Sequence, residues 1–307
     1  MATILASLIP VFLLIALGLG LRRSDFLPEG FWPPVERLTY YFFFPALLFT
    51  NCLRVPLGDA GTGNLVMAMG LGVTAIAALA LALLPLVKNR PAFSSVFQGC
   101  IRPNTYVGLA AAAALYGKPG LALTSVCVAV VVPLVNLFSV LAMLACGEGN
   151  KPGSLKEIVK PVILNPLINA CLLGLALNAL AVPVPAFMQH FLDILAAASL
   201  PMGLLAVGAG VDLRALFKAG PPVFFSTALK MAMLPLCTLG LMKSFGVEET
   251  ALAAGFLYAT LPCSATSYVL ARQMGGDAPL MANIISVQTI LAMASMPLLL
   301  ILFGFSP

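Results

Sequence analysis

The sequence predicts an all-α polytopic membrane protein. Ten transmembrane helices are laid out as two inverted five-helix repeats, with the fourth and ninth helices broken. Three observations predict this. The first is composition: of 307 residues, 61% are hydrophobic and only 9% charged, against about 25% charged in a soluble globular chain. The second is that apolar runs of about 20 residues recur along the chain, each long enough to cross a ~30 Å hydrocarbon core. They lack the ten-residue alternating segments of a membrane barrel. The third is a set of prolines that keep step between the two halves.

The spans fall at roughly 3–21, 34–53, 64–87, 92–116, 120–146, 158–180, 188–211, 221–245, 250–273 and 279–304. Span 1 follows Met1 directly, with Arg22 and Arg23 after it rather than before it. That is the reverse of a cleaved signal peptide, so the run is expected to be retained. The joint "RRSDFLPEG" precedes span 2, which contains Pro45; "RVPLGDAGTGN" separates it from span 3 and "VKNRP" separates span 3 from span 4. Span 4 contains "RPNTY", and Lys118 lies in the short joint before span 5. The segment "CGEGNKPGSLKE" divides the chain into a first repeat, 1–146, a cytoplasmic linker, 147–157, and a second repeat, 158–307. Pro166 is expected to open span 6, Pro201 interrupts span 7, and span 8 holds Lys230 and Pro235. Span 9 contains "LPCSATSY", and "RQMGGDAP" leads into span 10.

Basic residues set the orientation. Joints after odd-numbered spans carry eleven: Arg22, Arg23, Arg37, Lys88, Arg90, Lys151, Lys156, Lys160, Arg214, Lys218 and Arg272. Joints after even-numbered spans carry three, Arg54, Lys118 and Lys243. The positive-inside rule puts the eleven in the cytoplasm and both termini on the other side. The net charge of +5 is thus placed for a lipid bilayer, and no nucleic-acid partner is expected.

Pro10 and Pro166, which open spans 1 and 6, are 156 residues apart, as are Pro45 and Pro201 in spans 2 and 7. Pro103 and Pro262 in spans 4 and 9 are 159 apart. Five spans per half is odd, so the second half enters the membrane from the opposite face. Inverted repeats of this kind are a common ground plan of secondary transporters.

Proline inside a span removes a backbone donor and blocks the carbonyl one turn earlier. In hydrocarbon such a break must be buried in protein or line a wet cavity. A lone proline is commonly a kink, and Pro45, Pro85, Pro133, Pro201, Pro235 and Pro297 are read so. Pro103 and Pro262 differ because polar residues cluster after both: Asn104, Thr105 and Tyr106 after one, Ser264, Thr266, Ser267 and Tyr268 after the other. Facing breaks would present half-helix N-termini, which suit an anion, and freed carbonyls, which suit a sodium ion or proton.

Arg102 and Lys230 are the two cations inside spans. A cation at mid-membrane costs about 2.5–3.5 kcal/mol on insertion scales, so each needs a partner or a wet pocket. Arg102 either grips a carboxylate by its bidentate fork or pairs with a lipid or carbonyl. Lys230 either braces a helix break, where other carriers hold a sodium ion, or counters an anionic substrate. Asn51, Asn136, Asn178, Asn283, Gln288 and Thr289 are each read as lining the site or as inter-helix glue.

Other chemistries find no residues to carry them. Glu36, Asp193 and Asp212 lie near span ends and no Asp-Asp pair exists, so the mid-span carboxylates of a proton carrier are missing. There is no GxxxxGK[ST] phosphate loop and no hydrolase motif, so no enzyme activity is expected. Seven scattered cysteines, none in a CxxC pair, and a single histidine, His190, predict neither a metal site nor a disulfide framework. No cofactor is expected.

Five phrases in order, "IPVFLLIALGLGLRRSDFLPEGF", "RLTYYFFFPALLFTN", "RPNTYVGLA", "NPLINACLLGLALN" and "LPCSATSYVLARQMGGD", together resemble the auxin efflux carrier family. That family includes the plant PIN auxin exporters and bacterial malate and malonate carriers, and the resemblance spans essentially the whole chain. "RPNTY" is similar to the Asn-Pro-Asn-Thr-Tyr of the PINs, with Arg102 in place of their first Asn. The resemblance implies a fold shared with bile-acid/sodium symporters and NhaA-type antiporters. Spans 1, 2, 6 and 7 would form a scaffold, often dimeric, and spans 3–5 and 8–10 a transport domain whose spans 4 and 9 cross at Pro103 and Pro262. It implies carboxylate binding beside the crossing, at Asn104. The second crossing reads Pro-Cys-Ser here, so Ser264 or a backbone N–H would serve there. The short linker implies a bacterial inner-membrane protein without the plant proteins' phosphorylation control.

The reading is a carrier of small organic anions, carboxylates such as malate, malonate or auxin-like acids, working by elevator-type alternating access as a homodimer. The substrate site is expected to comprise Arg102, Asn104, Thr105, Tyr106, Ser264, Thr266 and Asn51. Pro103 and Pro262 would form the crossing and Lys230 would support it electrostatically. Two alternatives remain open from the residues: a sodium- or proton-coupled carrier, and a non-transporting membrane receptor on a transporter fold.

Overall fold

A computed structural model describes residues 2–24, 26–28, 30–55, 60–82, 87, 89–147, 163–218, 220–247 and 249–305. The linker expected over 147–157 lies outside the described residues apart from Gly147, as do Pro85, Lys88, Lys151, Lys156 and Lys160. Among the described residues the chain is helical, and the extended backbone pairs only at one isolated bridge, between Pro103 and Cys263.

The first helix, α1 (Ala2–Arg23), runs without a break through Pro10. Pro10 therefore lies inside its helix rather than opening it, whereas Pro166 occupies the first position of α7 (Pro166–Ala179). The expected second span is α2 (Trp32–Leu38), a π turn (Thr39–Phe43) and α3 (Phe44–Cys52). Pro45 explains the π turn. It offers no N–H to the carbonyl one turn back, and the ladder widens so that the Phe44 N–H reaches the Thr39 carbonyl. The same device recurs ahead of Pro235, between α9 (Pro221–Ala228) and α10 (Leu234–Ser244), where the Leu234 N–H bonds the Leu229 carbonyl across a π turn at Leu229–Met233. By contrast Pro133, Pro201 and Pro297 sit inside helices with no such widening.

Next come α4 (Ala60–Leu81), α5 (Arg90–Ile101) and α6 (Thr105–Cys146). The 42 residues of α6 would span roughly 60 Å if straight, twice the hydrocarbon core. Gly117, at φ 60° and ψ −149°, breaks it into two segments, a left-handed backbone position that glycine adopts without a Cβ clash. After α7 follow α8 (Ala186–Ala209) and a 3₁₀ turn (Leu213–Lys218). The chain ends with α11 (Glu249–Ala259), α12 (Thr266–Met274) and α13 (Ala278–Leu302). Among the described residues, six helical stretches are long and apolar enough to cross a membrane.

These helices pack as two groups. In the first, α1 lies along α8, and α3 packs on α7 and α8. The closest approach is at glycines: a Cβ on Gly18 would stand 2.1 Å from the Leu205 carbonyl oxygen, and one on Gly208 1.9 Å from that of Ile15. Such small-residue seams let membrane helices meet backbone to backbone. In the second group α6 packs on α5 and α11, α4 on α10, and α13 and α9 on α5, around buried Phe93, Phe256, Tyr258 and Leu261. Large apolar side chains such as Leu13, Leu17, Leu172, Phe187 and Ile194 point outward, as expected of faces bathed in lipid rather than water. The seven cysteines are all free thiols.

A cavity at the paired helix breaks

The sequence breaks the helix at 102–104 for a local reason. Pro103 cannot continue the hydrogen-bond ladder, and its ring pushes the preceding residue toward extended backbone. Arg102 accordingly has φ −78° and ψ 116°. Asn104 is also extended, and its side-chain oxygen accepts from the Val107 N–H (3.3 Å), capping α6. Asn is among the best residues for that position. On the other side α11 ends at Ala259, and Pro262 and Cys263 run extended before α12 starts at Thr266.

The two extended pieces lie antiparallel. The Asn104 N–H donates to the Pro262 carbonyl (2.8 Å), and the Ser264 N–H donates to the Arg102 carbonyl (3.3 Å). Gln288 of α13 completes the junction. Its side-chain oxygen accepts from the Cys263 N–H (2.9 Å), and its amide donates to the Gly99 carbonyl (3.1 Å) and the Ser226 hydroxyl (3.2 Å). Gly99 stands four residues before Pro103, so its carbonyl is the one the proline leaves without a partner. A buried side-chain amide thus supplies what the backbone lost.

A cavity of about 770 Å³ opens beside this junction, within the usual range for a small-molecule site. Arg102, Asn104, Thr105, Tyr106, Ser264 and Thr266 all line it, along with Pro103. Arg102 is 8% exposed, and its Nη2 donates to the Thr266 hydroxyl (3.1 Å), which shares a hydrogen bond with the Ser264 hydroxyl (2.9 Å). The Nε and Nη1 of Arg102 and the Nδ2 of Asn104 are buried with no partner among the described residues. The Tyr106 ring stacks on Phe44 with centroids 4.2 Å apart, against Gly203 of α8.

One residue expected at the site, Asn51, lies elsewhere. It is outside the cavity lining, its amide turned back to the Leu47 carbonyl (2.7 Å). Its spacing one helical turn from that carbonyl favours the local bond. Lys230 is fully buried behind the junction, close to the Cys100 and Cys263 thiols, with Nζ lacking a partner among the described residues. Asp193, expected near a span end, sits within α8 and pairs with Arg54 at 3.4 Å. Arg37 belongs to α2 rather than to a joint, and with Glu36 it borders the cavity.

Asn165 and Tyr40 also line the cavity and were not among the expected residues. Asn165 caps α7, accepting from the Leu167 and Ile168 N–H groups (2.9 and 3.3 Å), and the Tyr40 hydroxyl adjoins it. The Asn165-Pro166 pair is a legible cap, since Asn at the cap with Pro at the first helical position is a favoured start. Nothing in the local sequence shows that it faces the same space as Arg102. Three helix starts, at Thr105, Pro166 and Thr266, therefore border one cavity, and helix N-termini favour anions. No group of three or more His, Cys, Asp or Glu side chains able to hold a metal occurs among the described residues.

Long apolar helices packed around a cavity at broken backbone define a multi-pass membrane protein. A family model described as membrane transport protein matches residues 3–160 and 153–300, and the chain belongs to that auxin efflux carrier-like family. It is similar to a protein of Rhizobium meliloti (strain 1021) named "Putative malonate transporter", at 26% identity over 98% of this chain and 96% of the relative. It is also similar to an uncharacterized transporter of Methanothermobacter thermautotrophicus (strain Delta H), at 23% identity over 95% of this chain and 96% of the relative. The family and these relatives are transporters, not enzymes.

Proposed function

We propose that this protein is a secondary carrier of small organic anions that holds a substrate carboxylate at the paired helix breaks. The observation that carries the reading is Arg102. Its guanidinium is buried beside the cavity, steadied by Thr266 on one nitrogen, with Nε and Nη1 unpaired among the described residues. Such a fork matches a carboxylate bidentately. The amide of Asn104 and the α12 start would hold the same group, Thr105, Tyr106 and Ser264 would shape the space, and Asn165 and Tyr40 join them. The malonate named for one relative makes short dicarboxylates the first acids to try.

In this reading the chain makes ten crossings as two inverted repeats, in a bacterial inner membrane with both termini outside. The group of α1–α3, α7 and α8 is the scaffold and dimer surface. The group of α4–α6 and α9–α13 is the transport domain that slides along it. The cavity's position between the groups supports this division, because alternating access there needs only a rigid-body shift past a fixed wall. Sodium coupling is less well supported. The Gly99 carbonyl that could bind an ion is taken by Gln288, and the Lys230 ammonium supplies positive charge behind the junction.

The test is uptake of radiolabelled malonate, malate and succinate into proteoliposomes, with and without sodium, beside Asn104→Ala. Wild-type uptake with at least tenfold weaker apparent affinity in the variant is expected. Unchanged affinity for every transported acid would sink the site assignment.

A further inference from the structure

We infer that this carrier works as an exchanger: the site changes sides loaded and returns loaded, and the empty site crosses far more slowly. The inference rests on the reading of the helix-break cavity as a carboxylate site. Its basis is a surplus of buried positive charge.

Arg102 and Lys230 both lie close to the Cys263 thiol at the junction. Arg102 is 8% exposed and Lys230 fully buried, and the Arg102 Nε and Nη1 and the Lys230 Nζ have no partner among the described residues. The α6 and α12 starts add partial positive charge at the same place. Among the described residues no buried carboxylate answers it. The one ion pair among the described residues joins Arg54 to Asp193. Asp212 and Asp277 accept from the backbone N–H groups of Arg214 and Leu280. Glu36 is exposed on α2, at the cavity border. The remaining acidic residues lie in the joints between apolar runs.

The cavity is also lined by Tyr40 of the π turn, Pro166 and Leu167 of α7 and Ala206 and Val207 of α8, none of which carries a carboxylate, and at its border by Glu36 and Arg37 of α2. An empty transport domain must therefore carry a guanidinium that no buried carboxylate among the described residues answers past the apolar α7 and α8 side chains. A carboxylate seated on the fork removes that charge before the move, and a dicarboxylate leaves a second negative charge to offset Lys230. The insertion cost of one cation at mid-bilayer, expressed as a rate, is a factor on the order of 100. Loaded transit should exceed empty return by that order.

The experiment loads proteoliposomes of the full-length wild-type protein with radiolabelled malonate, malate or succinate and clamps the membrane potential. Efflux is then timed into buffer with and without the same unlabelled acid outside. External acid is expected to speed efflux by on the order of 100-fold. Stimulation below tenfold for a transported acid overturns exchange while leaving the carrier reading intact. No flux of any acid in either mode overturns the carrier reading and this inference with it. In Arg102→Asn, the ratio of exchange to net efflux should fall at least tenfold below wild type. An active variant that keeps the wild-type ratio shows that the guanidinium is not the barrier.

Discussion

Asn104 does two things with one amide. Its oxygen caps α6 through the Val107 N–H, and its nitrogen is buried at the cavity without a partner. The two roles separate by substitution. Ser caps as well as Asn but offers no amide donor, whereas Ala loses both functions at about 1 kcal/mol for the cap. Asn104→Ser should therefore keep its melting temperature within a few degrees of wild type while malonate-induced thermal stabilisation falls. Asn104→Ala should lose both, and equal melting of Ala and Ser variants would remove the capping role. Thr266 is a positioning residue of the same kind, because its hydroxyl accepts from Arg102 and meets Ser264. Thr266→Val should raise the apparent KM for uptake several-fold, with maximal rate nearly retained, since a loosened guanidinium still carries its charge.

At the scale of elements, the broken helices hold together because Gln288 replaces a backbone partner. It satisfies the Cys263 N–H, the Gly99 carbonyl and the Ser226 hydroxyl together. Each buried polar group left unpaired costs about 1–3 kcal/mol. Gln288→Leu should thus destabilise by at least about 3 kcal/mol, read as a large drop in melting temperature in detergent. A drop of only a degree or two would mean that the junction stands without it. Gly99 is part of the same device: a Cβ there would come within 2.3 Å of the Ser226 hydroxyl and 2.7 Å of Ile284. The α1–α8 seam depends on small residues in the same way. Gly208→Val would drive a side chain into the Ile15 carbonyl and should cost about 1–3 kcal/mol by overpacking, again measured as melting temperature.

For the whole molecule, the informative surface is the one between the two helix groups. Tyr106 from one group stacks on Phe44 from the other, and Gly203 of α8 leaves room for both rings. A Cβ on Gly203 would stand 2.9 Å from Phe44 and 3.2 Å from Tyr106. If one group slides along the other, Gly203→Val wedges the seam. Uptake should fall at least tenfold while the malonate affinity measured by thermal shift changes less than threefold. Uptake that stays at the wild-type rate would count against a sliding transport domain.

Sequence alone determined what is local along the chain. Hydropathy runs mark where helices cross apolar surroundings, because each span is one contiguous segment. Pro103 and Pro262 mark where helices must open, because a proline breaks its own ladder whatever surrounds it. The polar residues after each break, and the strangeness of Arg102, were legible for the same reason, and six of the seven expected site residues line one cavity. Asn51 did not join them because a carbonyl one turn back satisfied its amide. What only the tertiary structure decided is which distant groups meet. Gln288 reaches a carbonyl 189 positions away, and Arg102 a hydroxyl 164 positions away. Asn165 and Tyr40 come to the cavity from a different helix group. Such meetings depend on how rigid helices pack in three dimensions, and no period or motif along a single chain carries that information.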